Sequence, residues 1–439
     1  MKHLALLWLV AGVLAGADPR DRSHVSRALE ERAGRGLNPD PAAVKRDTAS
    51  MPPGVTLDKP LSTEEAVAVA LWNNRSLEAT LAELGLARAD LVEAGLLRNP
   101  NLSLLFPVGP KPFELLLGAP FDALWQRPRR VAAARLNLES VAEGLVRHGL
   151  DLARDVKIAH AELAAGGEQS RLAAEAAELL QKIAELTERR VRAGDAGALE
   201  LTLARLEART AQERAARQVR QADLARRQLR FLLGLRGEPA SLAVAAGSIP
   251  SAPPPERQDL VGTALASRPD LRAAELSVQA AARRAGWERS RLLALAPALS
   301  SKGVGASGIR TGPGLSLDLP LFDRHQGPIS RAEAEVERAA LHYLAARDQV
   351  EMEVASARIQ WTRAFESLER IRTEILPAAR GAAQLANKAY EVGQESYLYT
   401  LEALRRLQEP RWQESGAAAE VRRAAARLEH AVGRTLWPY

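Results

Sequence analysis

The feature that most limits the fold is a long stretch without a helix breaker. From residue 129 to Ala193 the chain has no proline, and only Gly144, Gly149 and the pair Gly166-Gly167 interrupt a run rich in alanine, leucine, arginine and glutamate. Those four residue types carry high helix propensity, so the run reads as one helix. At 1.5 Å per residue it would reach ~97 Å, against the ~30 Å diameter of a small domain. The segment "RAGDAG" (192–197) turns the chain. A return helix follows, in which Leu199, Leu203 and Leu206, then Ala215, Val219 and Ala222, then Leu229 and Leu232 keep helical spacing. The expectation is a long antiparallel helical hairpin.

The pattern occurs twice. "ALWNNRSL" ends at Leu77 and "ALASRPDL" at Leu271, 194 residues later. Pro120 and Pro320 lie 200 apart, as do Pro128 and Pro328. Gly194 in "VRAGDAGALEL" and Gly393 in "YEVGQESYLYTL" lie 199 apart, as do Gly234 in "LRFLLG" and Gly433 in "LEHAVG". A nearly constant offset over most of the chain reads as tandem duplication of one unit: short helices, β-hairpin, long helix, turn, return helix. The first repeat is placed at 61–234, with its β-hairpin at about 101–120 and its helical hairpin at 128–234. A linker with a possible short strand covers 235–258. The second repeat is placed at 259–436, with its β-hairpin at about 298–321 and its helical hairpin at 328–434.

Local signals fill in the unit. Ser62 and Glu65 form a capping box ahead of "AVAVALWNN", and a second helix runs from about 77 to 97. "NLSLLFPVGPKPFELLLGAP" reads as a hairpin broken by Gly-Pro-Lys-Pro. "GVGASG" (303–308) lacks the lysine of a phosphate-binding loop and reads as part of the second hairpin. At the strand-to-helix corners, Pro128 and Pro328 suit the first helical position, where a missing N–H costs nothing. Asp323 and Gly327 suit the preceding turn, with Pro120 and Pro320 closing the strands. Glu333 and Glu335 then place negative charge near the helix start.

Two hairpins give four strands, too few to close a barrel, so their edges would be exposed. Three copies would give twelve strands in a closed barrel above twelve helical rods, and alanine on several helix faces permits neighbours on both flanks. The fold class is therefore mainly α with a small β part. Long antiparallel helical hairpins would form an α-barrel, and four strands per chain would contribute to a trimeric 12-stranded β-barrel, with internal tandem duplication.

The N-terminus has Lys2, an apolar run from Leu4 to Leu14 and the small residues Ala15-Gly16-Ala17, the pattern of a signal peptide covering 1–17. Residues 18–60 are polar and proline-dotted and read as an extended lead-in. No later run reaches ~18 apolar residues, so a membrane would be met peripherally or through a β-barrel. The chain has no cysteine, which excludes disulfides, thiolate metal sites and a lipidated N-terminal cysteine. Its 60 basic and 54 acidic residues leave a scattered charge of +6, and aromatics make up 4%. No basic block with interleaved aromatics points to nucleic acid.

No constellation for bond chemistry stands out, and the chain is read as a non-enzyme without cofactors. No nucleophile-elbow sequence occurs. No two of the seven histidines pair at helical spacing. His148, Asp151 and Asp155 would share a helix face that could hold a metal weakly, but the reading preferred here is a solvated face. His325, in the corner turn, is read as structural.

On "LDLPLFDRHQGPISRAEAE", "YEVGQESYLYTLEALRRL" and their first-half counterparts "APFDALWQRPRRVAAA" and "RAGDAGALELTLARLEAR", residues 60–436 resemble the TolC-like outer membrane factor family. The "PLFDRHQG" form is most similar to its heavy-metal efflux branch, the cobalt–zinc–cadmium or copper–silver type. The resemblance implies an outer-membrane exit duct, a homotrimer embedded in outer-membrane lipid with a helical tube in the periplasm. It also implies a periplasmic adaptor and an inner-membrane efflux pump as partners. It places the adaptor-docking tip at Gly194, Ala198, Gly393 and Ser396. It places the aperture at Tyr399 and Glu402, of which only Glu402 keeps the family's acid. The reading that competes with the duct is a periplasmic adaptor or coiled-coil scaffold, against which the duplicated unit argues.

Overall fold

The computed structural model describes residues 21–40, 42, 49–97, 99–106, 113–118, 122–236, 242–249, 256–291, 295–303, 308–317 and 321–437. The expected signal peptide and the corner residues Pro120 and Pro320 lie outside them. In chain order the elements are α1 (Arg22–Ala33), α2 (Thr63–Asn73), α3 (Arg75–Leu81), α4 (Glu83–Gly95), β1 (Asn101–Leu105), β2 (Glu114–Gly118), α5 (Asp122–Ala193) and α6 (Ala198–Leu232). Then follow α7 (Arg257–Ser267), α8 (Pro269–Ser290), β3 (Leu295–Gly303), β4 (Ile309–Leu317), α9 (Gln326–Arg370), a π-helical turn (Ile371–Ile375), α10 (Leu376–Glu391) and α11 (Tyr397–Val432). Short helices, hairpin, long helix and return helix thus come in the same order in both halves. The uninterrupted stretch is a single 72-residue helix, α5.

The chain divides into two compact units. One holds 79–147 and 269–349 with the start of the described chain; the other holds 26–78, 148–268 and 350–439. The first unit contains the four-stranded antiparallel sheet, in the order β1-β2-β3-β4. The core of the second unit is a seam between α9 and α11. Val350, Val354, Ala357, Trp361, Ala364 and Leu368 repeat at 3–4 spacing and meet Val421, Ala424, Ala425, Leu428 and Val432. Trp361 stacks on Phe365 (4.9 Å) and on Trp437 (5.5 Å), closing that core over the last described residues.

The long hairpins are fastened where they return, and the fastening is built the same way in each half. At the break between α2 and α3, the Asn74 side-chain amide donates to the Leu232 carbonyl at 2.9 Å, at the end of α6. Gly234, at φ +68°, lies so close to the Asn73 carbonyl that a Cβ there would overlap it. At the break between α7 and α8, Arg268 Nη1 donates to the Ala431 carbonyl at 3.1 Å, and Ser267 Oγ to the Val432 carbonyl at 2.7 Å, at the end of α11. Gly433, at φ +83°, faces Arg268, whose Cγ would stand 3.1 Å from an added Cβ. Buried Arg268 is also paired with Glu353 at 2.5 Å. A charged side chain stays buried only when paired and hydrogen-bonded, and here each donor caps a helix carbonyl that has no intrahelical partner.

A second anchor in the same unit holds the connecting segments. His160 on α5 is buried, with Nε2 2.9 Å from the Leu61 carbonyl and Nδ1 3.3 Å from Thr63 Oγ1. Burial holds its imidazole below the ordinary histidine value. Leu61 pairs with Val244 in a parallel bridge, so the segment read as a linker with a possible short strand contributes one bridge rather than a strand.

Four expectations need correction. The lead-in at 18–60 is not extended throughout, because α1 forms within it. Asp21 accepts from the His24 N–H at 3.1 Å at its start, and Leu29 packs so tightly on Gly149 that a Cβ there would lie 2.5 Å away. The second helix breaks at Ala82 into α3 and α4. Pro128 is not the first helical residue, since α5 begins six residues earlier. The second β-hairpin lies at 295–317 rather than about 298–321. The π-helical turn was not foreseen. It immediately precedes Leu376-Pro377, and the Leu376 N–H reaches back to the Ile371 carbonyl. Proline cannot donate to the preceding turn, and a one-residue wide turn absorbs that loss.

The locks make a direct prediction. Arg268→Leu should lower the stability of the second unit by about 3 kcal/mol, the cost of breaking a buried pair. The chemical-denaturation midpoint should fall accordingly, and Gly433→Ala should act in the same direction. An unchanged midpoint for both would remove the lock.

Candidate functional site: an amphipathic open sheet and two helical tips

The strand register sorts the sheet into two faces. Leu102, Leu117, Leu299 and Pro313 stand in one row, and Leu104, Leu115, Ser301 and Thr311 in the next row on the same face. Ile309 and Leu315 belong to that face too. Its two hydroxyls satisfy each other, Ser301 Oγ to Thr311 Oγ1 at 3.0 Å, as groups in apolar surroundings must. The opposite face carries Asn101, Ser103, Glu114, Ser300, Lys302, Arg310, Gly312 and Gly314, with Leu105 and Leu116 as exceptions. There Glu114 and Lys302 sit side by side in an ion pair at 3.0 Å. The leucines of the first face, Leu102, Leu104, Leu117, Leu299 and Leu315, are exposed. Within the described residues the outer edges of β1 and β4 have no strand beside them. Pro313 sits on edge strand β4, where proline is tolerated.

The corner into α9 is built differently from the expectation. The Asp323 carboxylate accepts from the His325 N–H at 2.8 Å, as expected of a turn residue. The left-handed position is taken by His325, at φ +56°, not by Gly327. Histidine is among the few side-chain-bearing residues that enter this region. Gly327 is helical with open space around it, and Pro328 is the third residue of α9. Within the first unit, Arg127 and Arg130 on α5, flanking Pro128, donate to the Gly95 and Leu96 carbonyls at 2.7 and 2.8 Å, at the end of α4. Glu333 and Glu335 pair with Arg289 and Arg284 of α8 rather than serving the helix end alone.

At the two turns of the helical hairpins the backbones superpose in kind. Gly194 (φ +86°) follows α5 and Gly393 (φ +76°) follows α10. In both, the next N–H bonds back five residues, Asp195 to the Arg190 carbonyl and Gln394 to the Ala389 carbonyl, each at 2.8 Å. This is the left-handed helix end that glycine favours. The return helices start differently. Ser396 is the N-cap of α11 and accepts from the Tyr399 N–H at 3.3 Å, whereas Gly197 occupies the corresponding place before α6 without a side chain. Ala198 is the first residue of α6, the counterpart of Tyr397 rather than of Ser396. Arg190 clamps the first tip, to Glu200 at 2.7 Å and to the Asp195 carbonyl at 3.1 Å. In the second tip Tyr390 packs against Tyr397 with the rings tilted and 5.3 Å between centroids, and buried Thr400 donates to the Ala386 carbonyl. Leu199, Val392, Tyr397 and Tyr399 are exposed around these turns. Neither fastening was foreseen, although the aromatic pair flanking Gly393 could have signalled it.

Glu402 is half-buried and not free. Arg405 Nε donates to it at 2.8 Å, and Arg405 also lies 3.8 Å from Glu207 on α6. Tyr399 is exposed, one helical turn before Glu402. The face of His148, Asp151 and Asp155 does not gather a metal set. Asp151 meets His430 at 2.5 Å and Arg154 at 3.4 Å, and Asp155 is held by Arg154 at 2.8 Å. Among the described residues no group of three or more metal-ligating side chains of the usual kinds occurs. No described helix is long and apolar enough to cross a membrane.

The cap difference is measurable. Ser396→Ala should speed hydrogen exchange of the Tyr399 amide about fivefold, the effect of losing an N-cap of about 1 kcal/mol. Gly197→Ser should slow exchange in the first turn of α6. No change at Tyr399 would show that the cap carries nothing.

Comparison with known proteins bears on these features. The family model "Outer membrane efflux protein" matches residues 260–434. The chain is 26% identical over 406 residues to the cobalt-zinc-cadmium resistance protein CzcC of Cupriavidus metallidurans, covering 91% of this chain and 97% of that one. Its fold is similar to that of the outer membrane protein VceC of Vibrio cholerae, with TM-score 0.67 and 19% identity over 85% of this chain and 97% of that one. It is also similar to CusC, described as undergoing conformational changes accompanying folding and transmembrane channel formation. The TM-score there is 0.67 at 20% identity, over 90% of this chain and 99% of CusC.

Proposed function

We propose that the chain is a TolC-like outer membrane factor and the exit duct of a tripartite efflux system, a reading supported by its match to the outer membrane efflux protein model over residues 260–434. It sits in the outer membrane, extends into the periplasm and conducts its cargo passively. The observation that carries this reading is the sheet. One face is mostly leucine and the other mostly polar apart from Leu105 and Leu116, the bias of strands with lipid on one side and water on the other, although β1 and β2 have only five residues each. β3 and β4 have nine residues each, the length a tilted spanning strand needs. Two free edges call for neighbouring copies, and three chains would close twelve strands.

Conduction through such a duct needs no bond chemistry. The polar face supplies a wetted wall, and the free energy comes from partners. The likeness to outer membrane efflux proteins supports a periplasmic adaptor and an inner-membrane pump as those partners. The two tips are where an adaptor would dock, through the exposed Leu199, Val392 and Tyr397 beside Gly194 and Gly393. Likeness to the CzcC sequence over nearly its whole length favours heavy-metal cations as cargo. In this reading Glu402 lies at the aperture, and Arg405 balances its charge, so the acid acts only when that pair opens.

Cells relying on this protein for efflux provide the test. Gly393→Trp should abolish metal resistance while leaving outer-membrane trimer yield unchanged, because the left-handed turn cannot take a bulky residue without strain. Resistance at the wild-type level would remove the docking role. Recovery of the wild-type protein as a soluble periplasmic monomer would remove the duct.

A further inference from the structure

In the second unit, α5, α6, α10, α11 and the segment 242–246 line an open groove with a volume of about 650 Å³. Its walls present five guanidiniums, Arg171, Arg226, Arg380, Arg411 and Arg422, against two carboxylates, Glu168 and Glu414. Both acids are already engaged. Glu168 is held by Arg171 at 2.5 Å, and Glu414 by Arg372 at 3.0 Å. Arg226 is paired with Asp223, and Arg411 with Glu175. Arg380, exposed at the rim, and half-buried Arg422 have no carboxylate partner among the described residues.

Arg422 is the more telling of the two. Its Nε donates to the Gly247 carbonyl at 2.9 Å, which fixes the side chain against the connecting segment. Its terminal amino groups have no protein acceptor among the described residues. Burial holds the guanidinium below the ordinary arginine value, and repulsion from Arg372 pushes the same way. Arg372 is itself balanced by Glu414, so the charge left without a carboxylate in this groove is that of half-buried Arg422. The surroundings leave room for a counter-ion. Arg411, Ser415, Ala418 and Arg422 follow helical spacing on α11, with the two small residues between the two arginines. Gly167 on the opposite wall has open space where a Cβ would be.

We infer that this groove is a binding site for a polyvalent oxyanion, a ligand carrying phosphate or carboxylate groups, seated between Arg380 and Arg422. The planar guanidinium fork matches either group in two-point hydrogen bonding. The space exceeds that of a single phosphate, which favours a ligand with two or more anionic groups. The site shares no residue with the tips or the sheet, and it does not depend on the duct reading.

Calorimetric titration of the full-length, detergent-solubilised protein at low salt tests this, with pyrophosphate and citrate as separate probes and sodium chloride at matched ionic strength as the control. Saturable binding near one anion per chain is expected. Arg380→Gln should weaken it about tenfold, the loss of one charge-assisted pair. The double variant R380Q/R422K should abolish it, because lysine keeps the charge at 422 but not the fork. Binding of pyrophosphate alone assigns a phosphate ligand, and binding of citrate alone a carboxylate ligand. The inference is overturned if neither anion exceeds the chloride control. It is equally overturned if both variants, with unchanged helical circular dichroism, bind as the wild type does.

Discussion

The constraint on which the rest depends is a sheet that cannot finish itself. Four antiparallel strands leave two rows of backbone donors and acceptors at β1 and β4, and a leucine face stands exposed beside them. In water such an edge and such a face invite association. In a bilayer an open edge is worse, because backbone groups there have nothing else to bond to. Closure by further copies of the same strands removes both liabilities. In the proposed assembly the long helices would also need neighbours, and Leu199, Leu203, Leu206, Leu341 and Leu344, exposed in a single chain, would be the residues to meet them.

Each half solves one local problem in the same place with different chemistry. A helical hairpin of this length needs its far end tied down, and the break between two short helices supplies the tie. Asn74 does this with a neutral amide and Arg268 with a charge balanced by Glu353. The glycines that follow, Gly234 and Gly433, permit the close approach. At the tips the backbone is conserved between halves while the fastening differs, an arginine clamp in one and a tyrosine pair in the other. Equal backbones with unequal side chains suit two surfaces that share a geometry but not a binding chemistry.

Much of this was legible in the sequence because it rests on local rules. The capping box at Ser62 and Glu65 forms with both of its hydrogen bonds. The turns expected around Gly194 and Gly393 form at those glycines, and the proline-free run is one helix. Part of what escaped the sequence depends on partners far along the chain, and part on local choices between neighbouring residues. Asp151 looked solvated until His430, 279 residues away, came against it. Glu402 was placed at the aperture by the resemblance alone, and its pairing with Arg405 one turn on was not foreseen. α1 was hidden in a polar lead-in because its apolar residues, Val25, Ala28 and Leu29, acquire meaning only against the surface that Gly149 leaves open. At the second corner a helix-compatible glycine was read as the turn residue, and the left-handed position fell to His325 instead.

The central claim, closure of the sheet by three chains, can be tested at the strand edges. The chain has no cysteine, so introduced pairs are unambiguous. Within one chain β1 and β4 are separated by two strands, about 14 Å at ~4.8 Å per strand spacing, beyond the ~7 Å that a disulfide can bridge. Cysteine at Ser103 on β1, combined in turn with cysteine at Arg310, Gly312 or Gly314 on β4, should give a ladder ending at a covalent trimer under oxidising conditions in outer-membrane fractions. Protein that stays monomeric in every combination, in membranes that contain it, would contradict the account.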